Sequence, residues 1–481
     1  MDPGAKPRVI PILAQDGADG LFSAYEKQVR IYPRAVHGWF ANWRWIMVAL
    51  TQAVFYGLPW LQWNGRQAVL FDLSERRFFV FDLVLYPQDF IYLAALLVIS
   101  ALALFFFTAV AGRLWCGYAC PQTVYTEIFL WIERHTEGDR SARMRLDASP
   151  WSVEKLLRKG GKQLAWVSVG LFTGFSFVGY FTPIHILAAE AALLSFSPWE
   201  WFWVLFYGLA TYGNAGYLRE QVCKYMCPYA RFQSALIDMD SLVIAYDTQR
   251  GEARGSRPRK ADPKTLGLGD CIDCTLCVQV CPTGIDIRDG LQNECIACAA
   301  CIDVCDDVMD KMGYPQGLIR YSSGNAIEKS WSPRQMLTRV WRPRVLIYGV
   351  LLLAASLIFV FSLSTRPGFG VDIIRDRGAL ARQTGKGQIE NVYRLQIRNA
   401  TEQSQRFSLQ VSGLPGLQWA TPAELEVPAI GIASLPVRLT LPPEQAEPLR
   451  GRASEIKFTI TRMTGADMRS STEPSTFFVP R

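Results

Sequence analysis

The sequence predicts a multi-domain membrane protein in which a bundle of five transmembrane helices carries an inserted ferredoxin-like domain with two 4Fe-4S clusters and a C-terminal all-β sandwich. Three observations predict this fold class. Long apolar windows divide the chain, eight cysteines after the fourth window have ferredoxin spacing, and residues 364–481 contain short runs of alternating apolar and polar residues.

The membrane helices are predicted from length and composition. Half of the 481 residues are apolar, and 15 Trp and 27 Phe make the chain richer in aromatic residues than most soluble domains. A spanning helix needs about 20 predominantly apolar residues. Five windows meet this requirement with few or no charges, at residues 43–63, 88–111, 163–183, 199–218 and 344–363. The first follows a long polar segment, so we expect a retained anchor and not a cleaved signal peptide.

The basic residues predict the orientation of these helices. The connection between the second and third windows is rich in Arg and Lys, whereas residues 183–198 contain neither. Because basic loops remain in the cytoplasm, we expect a bacterial inner-membrane protein whose N-terminus and ferredoxin domain are cytoplasmic and whose C-terminal domain is periplasmic. The net charge of +7 lies mainly in loops that face anionic lipid. No nucleic-acid-binding motif is recognisable, so lipid and not nucleic acid is the expected partner.

The same windows define five parts of the chain. They are a cytoplasmic N-terminal segment (1–42), four membrane helices in two hairpins (43–218), a cytoplasmic region (219–343) whose ferredoxin domain covers about 262–320, a fifth membrane helix (344–363) and the periplasmic β domain (364–481). Within the cytoplasmic region, residues 247–264 are dense in Gly, Pro and Arg, which predicts a mobile basic linker.

The β domain is predicted from period-two alternation. The runs "YRLQIRN", "FSLQV", "LPVRLTL" and "IKFTI" each place apolar residues on one face, and Gly and Pro separate them. Such runs predict antiparallel strands of a sandwich. The domain contains no cysteine, so its stability must come from an apolar core. It has no recognisable catalytic constellation, which indicates a structural or docking role.

Two runs of cysteines predict the clusters. Both have the spacing C-x-x-C-x-x-C-x-x-x-C, in which three thiolates bind one cluster and the fourth binds the other. The predicted ligands of cluster 1 are Cys271, Cys274, Cys277 and Cys305. The predicted ligands of cluster 2 are Cys295, Cys298, Cys301 and Cys281. Zinc is the main alternative for paired cysteines, and a purely structural role for the clusters is the alternative to electron transfer.

Four more cysteines follow the second and fourth windows. They lie in "CGYACP" and "CKYMCP", which share the pattern C-x-Y-x-C-P, and they are Cys116, Cys120, Cys223 and Cys227. The repeat suggests a duplicated two-helix unit that brings both pairs together at the cytoplasmic membrane surface. Converging thiolates bind a soft ion such as Cu(I), hold another iron–sulfur centre or form two dithiol/disulfide pairs; packing as buried apolar thiols is the remaining alternative. The three histidines, His37, His135 and His185, do not form a facing pair for haem.

This combination of parts resembles the CcoG/FixG/RdxA family, polyferredoxin-like accessory proteins of cbb3-type cytochrome c oxidase. The segments "CGYACPQTVYTE", "CKYMCPYARFQSA" and "KMGYPQGLIRY" carry the resemblance. It implies an immunoglobulin-like fold for the β domain and reduction of Cu(II) to Cu(I) for the oxidase copper centre. It also implies partners among the oxidase assembly machinery and copper-handling proteins.

We therefore expect an electron-transfer oxidoreductase in which an unidentified cytoplasmic donor reduces the two clusters. The clusters then pass electrons to copper bound by the four membrane cysteines. A third cluster at those cysteines, a quinol-linked membrane ferredoxin conduit and a non-catalytic assembly scaffold with structural clusters remain as alternatives.

Overall fold

The computed structural model describes residues 30–259, 261–263, 265–376, 381–419, 424–463 and 468–481. Residues 1–29, most of the predicted cytoplasmic N-terminal segment, lie outside the described residues. The last residues of the predicted linker are described in part, because positions 260 and 264 also lie outside.

Five short strands connect the first two helices. The bounds are α1 Trp39–Gly57, β1 Gln62–Trp63, β2 Arg66–Gln67, β3 Val69–Asp72, β4 Arg77–Val80, β5 Leu83–Leu85 and α2 Phe90–Ala111. Strands β1 and β2 pair with each other, and β3, β4 and β5 form a three-stranded antiparallel sheet. The sequence did not predict these strands, because two to four residues are too few for a period-two pattern.

Seven described helices follow between residues 114 and 236. They are α3 Leu114–Tyr118, α4 Pro121–Glu137, α5 Arg140–Ala148, α6 Val153–Val178, α7 Ile184–Leu193, α8 Pro198–Gly213 and α9 Pro228–Leu236. Two π-helical segments, Asn214–Leu218 and Val222–Met226, precede α9. Helices α6 and α8 pack closely because glycines line their contact: a Cβ on Gly174 would lie 2.1 Å from the Val204 carbonyl oxygen.

Residues 243–338, which contain the ferredoxin cysteines, are built around a two-stranded sheet and one longer helix. The elements of this region are β6 Val243–Tyr246, α10 Thr248–Gly251, α11 Leu276–Gln279, α12 Ala300–Met312, β7 Ile319–Ser322, α13 Gly324–Glu328 and α14 Pro333–Thr338. Strands β6 and β7 pair antiparallel. Their buried residues Ile244 and Ile319 pack with Met309 of α12 and with the cysteines.

The predicted mobile linker is wrong for the described part of residues 247–264. Arg250 donates to the carbonyl oxygens of Pro315 and Gln316, and Arg257 donates to the Tyr314 hydroxyl at 3.0 Å. The basic residues that suggested a solvated tether bind carbonyl and hydroxyl oxygens of the ferredoxin domain. The segment therefore belongs to that domain.

Among the residues that the structure describes, two helices are long and apolar enough to cross a membrane: Pro87–Ala111, which includes α2, and α15, Pro343–Thr365. They pack against each other, with Gly349 next to the Phe106 ring. The other three predicted windows, 43–63, 163–183 and 199–218, overlap helices that do not meet the same criteria of length and apolar composition. Helix α1 ends at Gly57 and not at residue 63, α6 begins with a strongly charged turn, and α8 has 16 residues before the π-helical segments.

The C-terminal domain is a sandwich of two antiparallel sheets. Its elements are β8 Phe369–Arg375, β9 Arg382–Gln383, β10 Ile389–Asn399, β11 Gln405–Ser412, β12 Gln418–Trp419, β13 Glu424–Val427, β14 Ile432–Leu441, α16 Pro443–Ala446, β15 Ala453–Arg462 and β16 Ser470–Phe478. One sheet has the order β12-β14-β10-β8, with β9 beside β10, and the other has β13-β11-β15-β16. Alternate residues such as Leu395, Val437 and Phe458 are fully buried between the sheets. The period-two prediction is confirmed.

The sandwich contacts the strands between α1 and α2. The Tyr86 hydroxyl donates to the Asn399 carbonyl oxygen at 3.1 Å, and Arg66 pairs with Glu402 at 3.0 Å. Leu70, Phe79 and Val84 form a small apolar core at this contact. The β domain is therefore fixed to the helical part through this segment as well as through α15.

Candidate functional site

The two C-x-Y-x-C-P motifs share a local structure. In each motif the second cysteine is extended, and a new helix begins at the proline that follows it. Cys120 is extended (φ −61°, ψ 129°) and precedes Pro121, the first residue of α4. Cys227 (φ −80°, ψ 110°) precedes Pro228, the first residue of α9, in the same way. Proline favours extended backbone in the preceding residue and is well suited to the first helical position. In both motifs the second cysteine therefore lies in extended backbone immediately before a helix.

The segment that leads into the second motif is one residue longer than the segment that leads into the first. Arg113 precedes Cys116 by three residues, whereas Arg219 precedes Cys223 by four. Arg219 is left-handed (φ 41°) between the two π-helical segments, and its guanidinium donates to Glu133 at 2.7 Å. π-Helical turns accommodate an extra residue and are frequent at functional sites. The buried Glu133 thus holds the backbone that leads into the second cysteine pair.

The four membrane cysteines lie together, and we call Cys116, Cys120, Cys223 and Cys227 the thiol site. Burial and then the charge of Cys120 raise the pKa of Cys116 to about 11. Burial, followed by the charges of Cys120 and Cys116, raises the pKa of Cys223 to about 12. The charge of Cys227 also raises the pKa of the other three. Charges shift a pKa in this way only over short distances, and Cys116 and Cys223, one from each pair, pack in the same apolar cluster, so the two pairs form one group.

Two polar side chains adjoin the thiol site. The Cys116 thiol donates to Oε1 of Gln233 at 3.4 Å, and Gln233 is completely buried. The Arg113 guanidinium opposes the rise in pKa of Cys116 and Cys223. Arg113 itself is held by the carbonyl oxygens of Ala230, at 2.9 Å, and Cys295, at 3.4 Å.

The thiol site offers soft sulfur donors without a finished coordination geometry. Within the part of the chain that the structure describes, no three His, Cys, Asp or Glu side chains are grouped so as to hold a metal ion. Because the pKa of Cys116 is raised to about 11 and that of Cys223 to about 12, these two thiols carry protons at neutral pH. Metal binding therefore requires side-chain rotation and loss of thiol protons.

Two cavities divide the eight ferredoxin cysteines into two groups. The first cavity is lined by Cys271, Cys274, Cys277 and Cys305. The second cavity is lined by Cys281, Cys295, Cys298 and Cys301, together with Cys277. The remaining lining is mostly apolar, as in Leu276 and Val308 of the first and Ile285 and Ile296 of the second. These groups correspond to the two interlocked ligand sets, whose ligation of iron stays a prediction.

The backbone around both cavities repeats the same geometry. Asp273 and Thr275 in the first run and Ala297 and Ala299 in the second are left-handed, with φ between 51° and 60°. Left-handed residues alternating with other conformations turn successive N–H groups toward a common concavity, as in many iron–sulfur sites. Thiols and backbone thus fit two 4Fe-4S clusters.

Buried thiols among the ferredoxin cysteines need a nearby cation in order to ionise, as Cys277, Cys295 and Cys305 show. Burial raises the pKa of Cys277 to about 11 and that of Cys295 and Cys305 to about 12. Cluster ligands bind as thiolates. Iron would therefore supply the positive charge that these buried positions otherwise lack.

The thiol site lies directly against the second cavity. Cys116 and Cys223 pack in one apolar cluster with Ile296 and Cys298. A Cβ on Gly117 would lie 2.7 Å from the Ala297 carbonyl oxygen and 2.8 Å from that of Ile296. Only a residue without a side chain permits this approach, so the backbones of the first membrane motif and the second cysteine run are in contact.

Polar contacts hold the same interface. The Tyr321 hydroxyl donates to the Ala297 carbonyl oxygen at 2.7 Å, and Arg44 of α1 donates to the Cys298 carbonyl oxygen at 3.0 Å. The Asp303 carboxylate accepts from the backbone N–H groups of Phe40, at 3.1 Å, and Ala41, at 2.8 Å, in the first turn of α1. The ferredoxin domain is therefore bound to α1 as well as to the first motif.

Known proteins resemble this chain over most of its length. It is 38% identical over 454 residues to Protein RdxA of Cereibacter sphaeroides, covering 92% of this chain and 96% of that protein. It is 39% identical over 422 residues to Nitrogen fixation protein FixG of Rhizobium meliloti, covering 81% and 80%. Protein RdxB of Cereibacter sphaeroides is 39% identical over 398 residues, covering 81% and 83%. The chain belongs to the FixG/RdxA family.

Family models divide this FixG/RdxA-family protein into three matched regions. Residues 218–324 match a 4Fe-4S dicluster domain and residues 93–137 match a 4Fe-4S binding domain. Residues 359–480 match the IG-like fold at the C-terminus of FixG. The expected immunoglobulin-like fold and the 4Fe-4S domains are confirmed, and the protein is an iron–sulfur electron-transfer protein. The 4Fe-4S binding-domain model, which matches residues 93–137, includes Cys116 and Cys120.

Sequence reasoning missed the residues that join the two sites. Gly117 lies inside the quoted motif, yet nothing in the pattern indicates that its missing side chain contacts residues 296 and 297. Gln233 lies in the quoted segment "CKYMCPYARFQSA", where it follows Cys227 by six residues and contacts a cysteine of the other motif. A comparison of the helices that follow the two motifs, in search of polar residues at buried positions, is the one approach that could have identified Gln233.

Proposed function

We propose that this protein reduces Cu(II) to Cu(I) at the thiol site with electrons that arrive through its two 4Fe-4S clusters. The observation that carries the proposal is the contact between the thiol site and the second cavity, where Cys116 and Cys298 share one apolar cluster. 4Fe-4S clusters transfer electrons one at a time. Each Cu(II) requires one electron, so a cytoplasmic one-electron donor is the only co-reactant needed.

The proposed ligand sets follow the two cavities. Cys271, Cys274, Cys277 and Cys305 would hold cluster 1, and Cys295, Cys298, Cys301 and Cys281 would hold cluster 2. Among the twelve cysteines, all of which the structure describes, only Cys274 is exposed. A donor in solvent would therefore reach the first ligand set through Cys274, whereas the second ligand set lies beside the thiol site.

The donor set of the thiol site favours the reduced ion. Thiolates are soft ligands and select Cu(I) over harder ions. The protons that leave the thiols upon copper binding pass to solvent, and the nearby Arg113 helps to stabilise the resulting negative charge. Reduction and retention of the product thus occur at the same sulfur atoms.

We further propose that α1, α6 and α8 join α2 and α15 as membrane helices, with the N-terminus and the ferredoxin domain in the cytoplasm and the β domain in the periplasm. Large apolar side chains on the first three helices are exposed, among them Leu50, Leu164 and Leu209. Lipid contact accounts for such exposure. The reduced copper would serve assembly of a cbb3-type oxidase through copper-handling partners.

A third 4Fe-4S cluster at the thiol site is the second candidate function. The match of residues 93–137 to a 4Fe-4S binding domain favours it. The thiol site would then be an additional electron carrier, and the final acceptor would lie elsewhere.

Two measurements separate these functions. Anaerobic purification with iron and copper quantified should give about eight iron atoms per chain for two clusters, whereas about twelve would indicate a third cluster. The variants Cys116→Ser/Cys120→Ser and Cys223→Ser/Cys227→Ser should lose Cu(II) reduction and keep the cluster absorbance. Unchanged reduction in both variants would contradict the proposed site.

A further inference from the structure

Gln233 is a buried amide with an incomplete set of hydrogen bonds next to the thiol site. Its side chain has no solvent exposure, and its Oε1 accepts from the Cys116 thiol at 3.4 Å. Its Nε2 makes no hydrogen bond of ordinary geometry among the described residues, although the amide also interacts with the Tyr229 hydroxyl. Buried amide N–H groups nearly always find a partner because leaving them unpaired is unfavourable. The position therefore requires an explanation beyond packing.

The neighbouring sulfur explains why the amide is retained. A protonated thiol donates its hydrogen to Oε1. Once the sulfur binds a cation and loses that proton, an oxygen lone pair would face a thiolate, which is repulsive. A 180° turn of the amide about its last side-chain bond puts Nε2 in place of Oε1, and an N–H group then donates to the sulfur.

The hydrogen bond between Gln233 and Cys116 joins the two C-x-Y-x-C-P motifs. Gln233 lies on α9, after the second motif, but contacts Cys116 of the first. In the reciprocal direction, Gln122 of α4, after the first motif, donates to the carbonyl oxygens of Asn214 at 2.9 Å and Arg219 at 3.1 Å, before the second. Each half of the duplicated unit thus holds the other through a glutamine.

We infer that Gln233 is a positioning residue of the thiol site: it fixes Cys116 beside the other three thiols and donates an N–H···S hydrogen bond to that sulfur when copper is bound. The inference rests on the proposed function, since it assigns a role in holding the copper substrate. Hydrogen bonds to a ligating sulfur favour the more electron-rich state of the metal. Gln233 should therefore raise the reduction potential of the bound copper and strengthen Cu(I) binding.

The test compares two variants of nearly equal size in the full-length protein. Gln233→Glu keeps an acceptor but removes the N–H donor and adds negative charge, and Gln233→Met removes both hydrogen-bonding functions. The matched control is Gln163→Glu, because Gln163 contacts only Tyr212 and Tyr217 and not the thiols. Cu(I) affinity is measured anaerobically by competition with a chromophoric chelator, and the copper reduction potential by titration. Iron content reports folding.

The expected Cu(I) affinity falls about 10- to 100-fold in the Gln233 variants and is unchanged in the control. The copper potential should decrease in the order wild type, Gln233→Met, Gln233→Glu, with wild-type iron content throughout. Equal affinities and potentials in wild type and variants would overturn the role of Gln233, and so would a larger effect of Met than of Glu. A wild-type protein that binds no Cu(I) would instead overturn the proposed function.

Discussion

Replacing Gly117 by alanine should uncouple the clusters from the thiol site. The new Cβ would lie 2.7 to 2.9 Å from the carbonyl groups of Ile296 and Ala297, which are backbone atoms and cannot rotate away. For the new Cβ to reach an ordinary van der Waals distance from these carbonyl groups, the two segments must separate by several tenths of an ångström. The position is helical without a positive φ, so steric conflict and not backbone strain decides the outcome.

The size of the effect follows from opposing contributions. Overpacking of this kind destabilises by about 1–3 kcal/mol, while alanine in a helix gains roughly 0.5–1 kcal/mol over glycine. A net loss of about 1–2 kcal/mol at the interface corresponds to a factor of about 5–30 in the equilibrium between joined and separated segments. The cluster ligands are untouched, so iron content should not change.

The assay mixes anaerobically reduced protein with Cu(II) and follows reoxidation of the clusters by absorbance. Gly117→Ala should slow this step, by up to the calculated factor of about 5–30. Gly160→Ala is the matched control, because a Cβ at this exposed position of α6 has no neighbour within 4 Å. A rate in Gly117→Ala within twofold of wild type would refute the contact as the route for electrons.

Three other predictions address proton release, the interface and the β domain. The pKa values of Cys116 and Cys223 are raised to about 11 and 12, so both thiols carry protons at neutral pH. Cu(I) affinity should therefore rise about tenfold per pH unit for each proton displaced between pH 6.5 and 8.5. Chelator competition measures this affinity, and an affinity that does not change with pH would contradict the prediction. Asp303→Asn removes the charged acceptor of two N–H groups in α1 and should increase amide exchange there about 10-fold or more; unchanged exchange would contradict this anchor. Phe458→Ala, at a fully buried position, should destabilise the β domain by about 3–5 kcal/mol in hydrogen exchange without changing iron content, and altered iron would show that the domains are coupled.

Local patterns predicted the parts of the fold that depend on local physics. The alternation in "YRLQIRN" predicted the buried face of β10, where Tyr393, Leu395 and Ile397 are at most 1% exposed. The prolines after Cys120 and Cys227 disfavour helix at those two cysteines, and both cysteines are extended. Cysteine spacing predicted the two groups of four that line separate cavities. In each case the signal spans only a few residues.

The remaining features depend on contacts between distant segments. Composition suggested a solvated linker at residues 247–264, but carbonyl oxygens near residue 315 bind Arg250. The strands between α1 and α2 are stabilised by the β domain more than 300 residues later, as in the contact of Tyr86 with Asn399. Neither Gly117 nor Gln233 carries a signal of its own, because the meaning of each comes from the atoms it meets.

The most direct test of the electron path is a single turnover with substoichiometric copper. Protein with fully reduced clusters is mixed anaerobically with one equivalent of Cu(II), and cluster absorbance and Cu(I) formation are recorded together. One cluster electron should be lost per Cu(I) formed, with equal rate constants for both signals. The variant with serine at all four thiol-site positions should show neither signal. Cu(I) formation in that variant at the wild-type rate, or without cluster oxidation in the wild type, would contradict electron transfer from the clusters to copper at the thiol site.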